Sequence, residues 1–229
     1  MYKEQLDELY YLLREVFNEG NRQQTTEITD VVYGLAGHLL AGKDYLRLIQ
    51  YSRYYGEKHL LQPTYEAILE KGWNPQRFVD LGAGLGWLSR GLASRFRIKD
   101  VLTVDKRPWM AIDVLADLEL GSGLKKVGDQ LKDGDVIVAS DFLHCIEDPE
   151  NILRAYPAYP MAILEYMPAN KLWATNYREQ IKRYGGNPIE PEALTGMLTS
   201  TPRKTDVEDL DPYLLILIDR EEQCQIYRE

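Results

Sequence analysis

The sequence predicts an α/β protein: a parallel sheet with helices on both faces, closed by an antiparallel pair of strands and preceded by a helical segment. Three observations carry this. From Phe78 onward, short apolar and β-branched runs alternate with segments of helical length, the pattern of strand–helix–strand units. Each run is β-branched or apolar and short, as in strands buried on both faces. Before Phe78 the apolar residues recur at three- and four-residue spacing instead, which lines one face of a helix.

Taken in order, Leu6, Leu9, Tyr10, Leu13, Val16 and Phe17 form such a face, ended by Gly20-Asn21. Apolar clusters at Val31–Leu40 and Tyr45–Ile49, split by Ala41-Gly42, predict two more helices, and Pro63-Thr64 opens another that reaches Leu69 before Gly72. Strands follow at Phe78–Leu81, Val101–Val104, Val136–Ala139 and Met161–Leu164. Helices are expected at Leu85–Phe96, at Pro149–Ala155 with Asp148 as N-cap, at Asn170–Tyr184 up to Gly185-Gly186, and at Pro191–Leu198. Lys204–Glu208 and Tyr213–Asp219, joined by an Asp211-Pro212 turn, complete the sheet. The expected organisation is a helical cap over residues 1–72 and an α/β domain over residues 73–229.

At 229 residues the chain suits one sizeable core. With 27 basic against 36 acidic residues its formal charge is −9, so a nucleic-acid backbone is repelled by the average field. Cys145 and Cys224 have no metal-type spacing and suggest neither a disulfide framework nor zinc, which fits a reducing cytoplasm. The longest apolar stretch, Leu214–Ile218, is far below a membrane span. No membrane or nucleic-acid partner is expected.

The most informative segment is Val79-Asp80-Leu81-Gly82-Ala83-Gly84-Leu85-Gly86-Trp87. A strand runs into a glycine-rich turn and then a helix, where absent Cβ atoms let the backbone approach a nucleotide-like ligand. A dinucleotide site would need a third glycine at the position of Trp87, for close helix–strand packing. Asp80, two residues before Gly82, would repel a pyrophosphate and favour a cationic ligand. S-adenosylmethionine lacks phosphate and carries a sulfonium and an ammonium.

In these residues the chain resembles the class I S-adenosylmethionine-dependent methyltransferases, whose first motif is a hydrophobic strand ending in an acid, then Gly-x-Gly-x-Gly. The resemblance covers Phe78 to the C-terminus and implies a doubly wound sheet of seven strands with the last one antiparallel. It implies S-adenosylmethionine as cofactor, with Asp80, Gly82, Ala83, Gly84 and Gly86 forming the loop that holds it. Nineteen residues past Gly86, Asp105 ends the next strand; an acid there accepts hydrogen bonds from both ribose hydroxyls in the resembling family, and Lys106 adjoins it. For the adenine edge Asp117 and Leu118 compete with Asp129. Asp117 is preferred because Asp129 is only six residues before Asp135, too short a return across the sheet.

The fourth strand feeds Asp141-Phe142-Leu143-His144-Cys145-Ile146-Glu147-Asp148-Pro149, similar to the post-strand segment of the family's small-molecule branch. Asp141 joins the cofactor contacts that the resemblance implies. His144, whose ordinary pKa lies near neutrality, is the candidate general base on a substrate hydroxyl or amine, with packing as the bland alternative. Glu165, at the end of the fifth strand, faces the same crevice edge and has substrate or cofactor ammonium as its possible partner. Trp173, Tyr177, Ile181 and Tyr184 share a helix side, either core or substrate wall. The tyrosine-rich N-terminal helices are its expected opposite wall, and Arg53 or Lys58 a partner for the cofactor carboxylate. The reading is methyl transfer to an oxygen or nitrogen of a small-molecule acceptor, by alignment of the nucleophile and exclusion of water. The rivals are a protein side-chain methyltransferase and an inactive cofactor-binding scaffold, the latter favoured by a blocked crevice over Gly82–Gly86.

Overall fold

The structure, a computed structural model, describes residues 60–84, 86–106, 112–167, 182, 187–210 and 213–221. Leu60–Glu229 forms one compact unit, and residues 1–59 fall outside it. Helix α1 (Gln62–Glu70) therefore packs with the sheet, although the sequence pattern groups it with the N-terminal segment. The first three expected helices, Arg53, Lys58, the Asp211-Pro212 turn, and Trp173, Tyr177, Ile181 and Tyr184 lie outside the described residues.

After α1 come β1 (Arg77–Leu81), α2 (Trp87–Phe96), β2 (Val101–Asp105), β3 (Val114–Leu115), α3 (Gly121–Gly128), β4 (Asp135–Ser140), a 3-10 turn (Leu143–Cys145) and α4 (Pro149–Ala155). Then follow β5 (Met161–Tyr166), α5 (Pro191–Ser200), β6 (Thr205–Asp209) and β7 (Tyr213–Ile218). The seven strands make one sheet in the order β3-β2-β1-β4-β5-β7-β6. β7 is antiparallel to both its neighbours, and the pairs among β1 to β5 are parallel.

The apolar runs explain themselves on this sheet. Successive side chains point to opposite faces, and both faces are covered. Phe78, Val136, Val138, Ala162, Leu164, Leu215 and Leu217 pack with Ala67 and Ile68 of α1 and with Leu88 and Leu92 of α2. Val79, Leu81, Ile137, Ala139, Ile163, Ile216 and Ile218 pack on the other side with Val127 of α3, Ile152 and Leu153 of α4, and Leu194 and Leu198 of α5. Burial of each Val, Leu, Ile or Phe among them contributes about 1.5–3 kcal/mol. Asp148 caps α4 as its sequence suggests, accepting the Asn151 N–H at 3.3 Å. At the amino edge, Arg77 and Asp135 face each other in register and form a buried bidentate pair, Nε–Oδ1 2.9 Å and Nη2–Oδ2 2.6 Å.

The third strand is only two residues long, and just before it Asp113 accepts from the Thr103 N–H (2.9 Å) and hydroxyl (2.8 Å). Helix α3 stands between β3 and β4, where the sequence pattern assigns no element. Gly123 makes it possible: a Cβ at that position would collide with the Asp117 carbonyl.

From β1 the chain steps outward through β2 to β3, then returns to place β4 on the other side of β1. In open α/β sheets the crevice at such a reversal, outside the carboxyl ends of the strands, is where ligands bind.

Candidate functional site

The turn after β1 is shaped by left-handed glycines. Gly82 has φ +66°, and a Cβ there would collide with the ring of Phe142. The first glycine is thus required by a close approach from the turn after β4. Gly84 differs. At φ +51° it has nothing among the described residues within 4 Å of where a Cβ would stand. Its N–H donates to Asp105 Oδ2 at 3.0 Å, the Ala83 N–H donates to the Val104 carbonyl at 2.9 Å, and Gly86 caps α2. The carboxyl end of β2 is thereby tied to the glycine turn, with Asp105 at the crevice floor, 9% exposed.

Asp80 does not face the crevice as an open charge. It is 3% exposed and accepts the Ser89 hydroxyl of α2 at 2.6 Å. Burial pushes its carboxyl up to about 7 against the pull of Ser89. The expectation of an ionised acid that attracts a cation is corrected accordingly: Asp80 braces the loop against α2, and near neutrality it carries only part of a charge.

Lys106 is exposed, with Glu119 3.6 Å away. Asp117 is half-buried just past β3, where its Oδ1 accepts the Glu119 N–H at 3.1 Å. Leu118 is 4% exposed and belongs to the core, which leaves its backbone for any ligand. Asp129 sits at the C-cap of α3, exposed and paired with Lys125 at 2.8 Å. The end of α3 leads back to the amino end of β4, so Asp117, and not Asp129, stands at the carboxyl side of the sheet.

Past β4 the chain turns sharply at Asp141, whose φ is +52°. Its N–H still continues the sheet ladder, donating to the Leu164 carbonyl at 2.9 Å, while Phe142 swings onto Gly82. The Asp141 carboxyl accepts the Tyr213 hydroxyl at 3.2 Å. Burial and the neighbouring Glu165 carboxylate push it up to about 7; His144 and the Tyr213 and Ser140 hydroxyls pull the other way.

His144 rides on the 3-10 turn, its Nδ1 2.5 Å from Oε1 of Glu165. Glu165 is 1% exposed, and its second oxygen accepts the Leu143 N–H at 3.1 Å. Burial pulls the imidazole down, but hydrogen bonding with Cys145 and Glu165 outweighs it and holds the ring protonated well above its ordinary range. The carboxyl ends of β1, β2, β4 and β5 thus gather Gly84, Asp105, Asp141, His144 and Glu165 along one crevice. Ser89, Phe142 and Tyr213 are the participants that the sequence reading does not contain.

A cavity of about 870 Å³ opens at the opposite, amino-terminal edge. Of its lining groups, Lys71 and Trp73 are both held by Asp219, Lys71 Nζ at 2.9 Å and the Trp73 indole donating at 3.0 Å. The glycine turn and the strand-end acids are the better candidate for chemistry. No helix among the described residues is long and apolar enough to cross a membrane.

No protein-family model and no curated protein sequence matches the chain. Solved structures do match in fold. Human N-acetylserotonin methyltransferase in complex with S-adenosylmethionine superposes with a TM-score of 0.51 at 13% identity, over 77% of this chain and 55% of that one. The pyocyanin biosynthetic protein PhzM gives 0.52 at 14%, over 81% and 61%. The plantazolicin methyltransferase BpumL, in complex with S-adenosylhomocysteine, gives 0.53 at 13%, over 92% and 100%. The chain thus spans between half and two thirds of the length of the first two. Together with the strand order and the antiparallel β7, these likenesses give the chain the fold of the class I S-adenosylmethionine-dependent methyltransferases.

Proposed function

We propose that the protein is an S-adenosylmethionine-dependent methyltransferase acting on an oxygen or nitrogen of a small-molecule acceptor. The observation that carries this reading is Asp105 at the end of β2, held by the Gly84 N–H at 3.0 Å beside a turn where nothing among the described residues crowds Gly84. A carboxylate so placed suits a ribose diol, and the bare Cα of Gly84 gives the adenosine room to approach. Asp117 is the acceptor for the adenine amine, and Asp141 the partner of the amino-acid ammonium.

When bound, the cofactor supplies an electrophilic methyl on a sulfonium leaving group. The chain's part is alignment, exclusion of water and management of one proton. His144 takes the proton of the acceptor's hydroxyl or amine, while Glu165 holds Nδ1–H and stabilises the imidazolium that results. In the free protein the ring already carries a proton, which must pass to solvent before the imidazole can take the acceptor's. Small-molecule acceptors are supported by the neighbours, whose names concern N-acetylserotonin, pyocyanin and plantazolicin. A cytoplasmic location goes with this reading.

Titration calorimetry tests the cofactor class. S-adenosylhomocysteine is expected to bind with saturable heat and NAD to give none; binding of NAD alone would overturn the reading.

A further inference from the structure

We propose that Tyr213 is a positioning residue of this cofactor site: reaching across β5 from β7, its hydroxyl fixes the Asp141 carboxylate where it meets the cofactor's ammonium. The inference rests on the methyltransferase reading above and adds to it a residue from the last strand.

The sheet order explains why such a brace exists. β4 and β7 are not neighbours; β5 lies between them. Asp141, one residue beyond β4, would continue straight off the sheet if its backbone stayed extended. Its left-handed φ of +52° instead sends Phe142 to Gly82 and turns the carboxyl back over the end of β5, where the Tyr213 hydroxyl donates to Oδ2 at 3.2 Å. Asparagine and aspartate tolerate this conformation better than other residues with side chains, because a short polar side chain can hydrogen-bond locally.

The tyrosine is itself held. It faces Tyr166 in register at the first position of β7, and the two rings meet edge to face with centroids 5.2 Å apart and planes at 74°. Tyr166 is 7% exposed. A phenylalanine at 213 would keep this ring contact and remove one hydroxyl, so the brace can be deleted without opening a cavity.

The hydroxyl also acts on charge. Among the described residues, Asp141 is faced by Glu165 from β5, His144 from the 3-10 turn, Ser140 from β4 at 3.4 Å, and Tyr213 from β7. Burial and Glu165 favour the neutral acid; the imidazolium and the two hydroxyls favour the carboxylate. With the balance near neutral pH, one hydrogen bond changes the ionised fraction severalfold. A neutral Asp141 gives up its charge-assisted contact with an ammonium.

The experiment compares S-adenosylhomocysteine binding to the wild type, Tyr213→Phe, Asp141→Asn and the double variant, by calorimetry near pH 7 and near pH 8.5, with melting curves for each. Tyr213→Phe is expected to melt like the wild type. It should bind about fivefold more weakly near pH 7 and within about twofold near pH 8.5, as a hydrogen bond worth roughly one pKa unit implies. In the Asp141→Asn background the same change should have no effect, since the group it acts through is gone. Equal affinity at both pH values, or a loss that persists in the Asp141→Asn background, would each overturn the proposal. So would a Tyr213→Phe chain that does not fold, because the hydroxyl would then serve the fold. If the wild type itself gives no binding heat, the cofactor reading fails first, and that result is distinct from all the others.

Discussion

His144 Nδ1 lies 2.5 Å from the buried Glu165 Oε1, so the imidazole is held as an imidazolium by a carboxylate from the neighbouring strand. Glu165→Gln removes the charge and keeps the shape. A group whose folded pKa is raised adds stability that is complete below its unfolded value and disappears as pH rises through the folded one. The variant should therefore lose most stability around pH 6 and least at strongly alkaline pH. The chain has three histidines, so imidazole nitrogen NMR can follow His144 directly: it should stay protonated well above 6.5 in the wild type and titrate markedly lower in Glu165→Gln. Indistinguishable titrations would remove the pair from the mechanism.

Asp80 gives a second pH dependence. Its folded pKa, about 7, is above the ordinary 3.8 because burial disfavours the charge. Its contribution to stability is complete below about pH 4 and falls as pH rises through 7, because the buried neutral acid is the favoured folded form. Asp141 contributes in the same direction. Asp80→Asn, which can still accept from Ser89, should melt higher than the wild type above pH 7 and show a flatter profile between pH 5 and 8. A variant less stable than the wild type throughout that range would mean the ionised carboxylate is well solvated.

Gly82 and Phe142 make a packing test. Gly82→Ala places a methyl in a left-handed conformation and against the Phe142 ring. The conformational part costs about 1–2 kcal/mol and the overpacking about 1–3 kcal/mol more. Phe142→Leu in the same chain should recover part of the second cost and none of the first, a coupling readable from a denaturation double-mutant cycle. Strict additivity would mean that the two residues do not meet.

What the sequence could reveal follows from these distances. Val136–Ala139 and Met161–Leu164 are legible as strands because burial on both faces leaves no polar residue to blur the run. The Asp148–Pro149 cap is legible because it is local. Helix α3 is not, since Gly121, Gly123 and Gly128 look like loop until Gly123 is seen to close onto the Asp117 carbonyl. The acids Asp105 and Asp141 can be located at strand ends, but their charge states cannot. Ser89 on α2 makes Asp80 a buried brace, and Tyr213 reaches Asp141 from 72 residues away across an intervening strand. No periodicity carries such a contact.

Asp105 carries the decisive prediction. In the structure its Oδ2 accepts the Gly84 N–H at 3.0 Å, which aims the carboxylate along the glycine turn. Two hydrogen bonds from a ribose diol to a charged acceptor are worth about 1.5–3 kcal/mol each. Asp105→Ala should weaken S-adenosylhomocysteine binding by at least about tenfold, since about 1.4 kcal/mol is one decade. Some loosening of the loop is expected as Gly84 loses its acceptor, so Asp105→Asn is the companion: it keeps an acceptor for Gly84 and drops the charge, and should retain the fold while still binding several times more weakly. Asp129→Asn, at the C-cap of α3 on the far side of the sheet, should leave affinity unaltered, whereas Asp117→Asn should reduce it through the adenine amine. Calorimetry on the four variants separates these outcomes. Unchanged binding in a folded Asp105→Ala would remove the ribose assignment and the observation on which the proposed function stands.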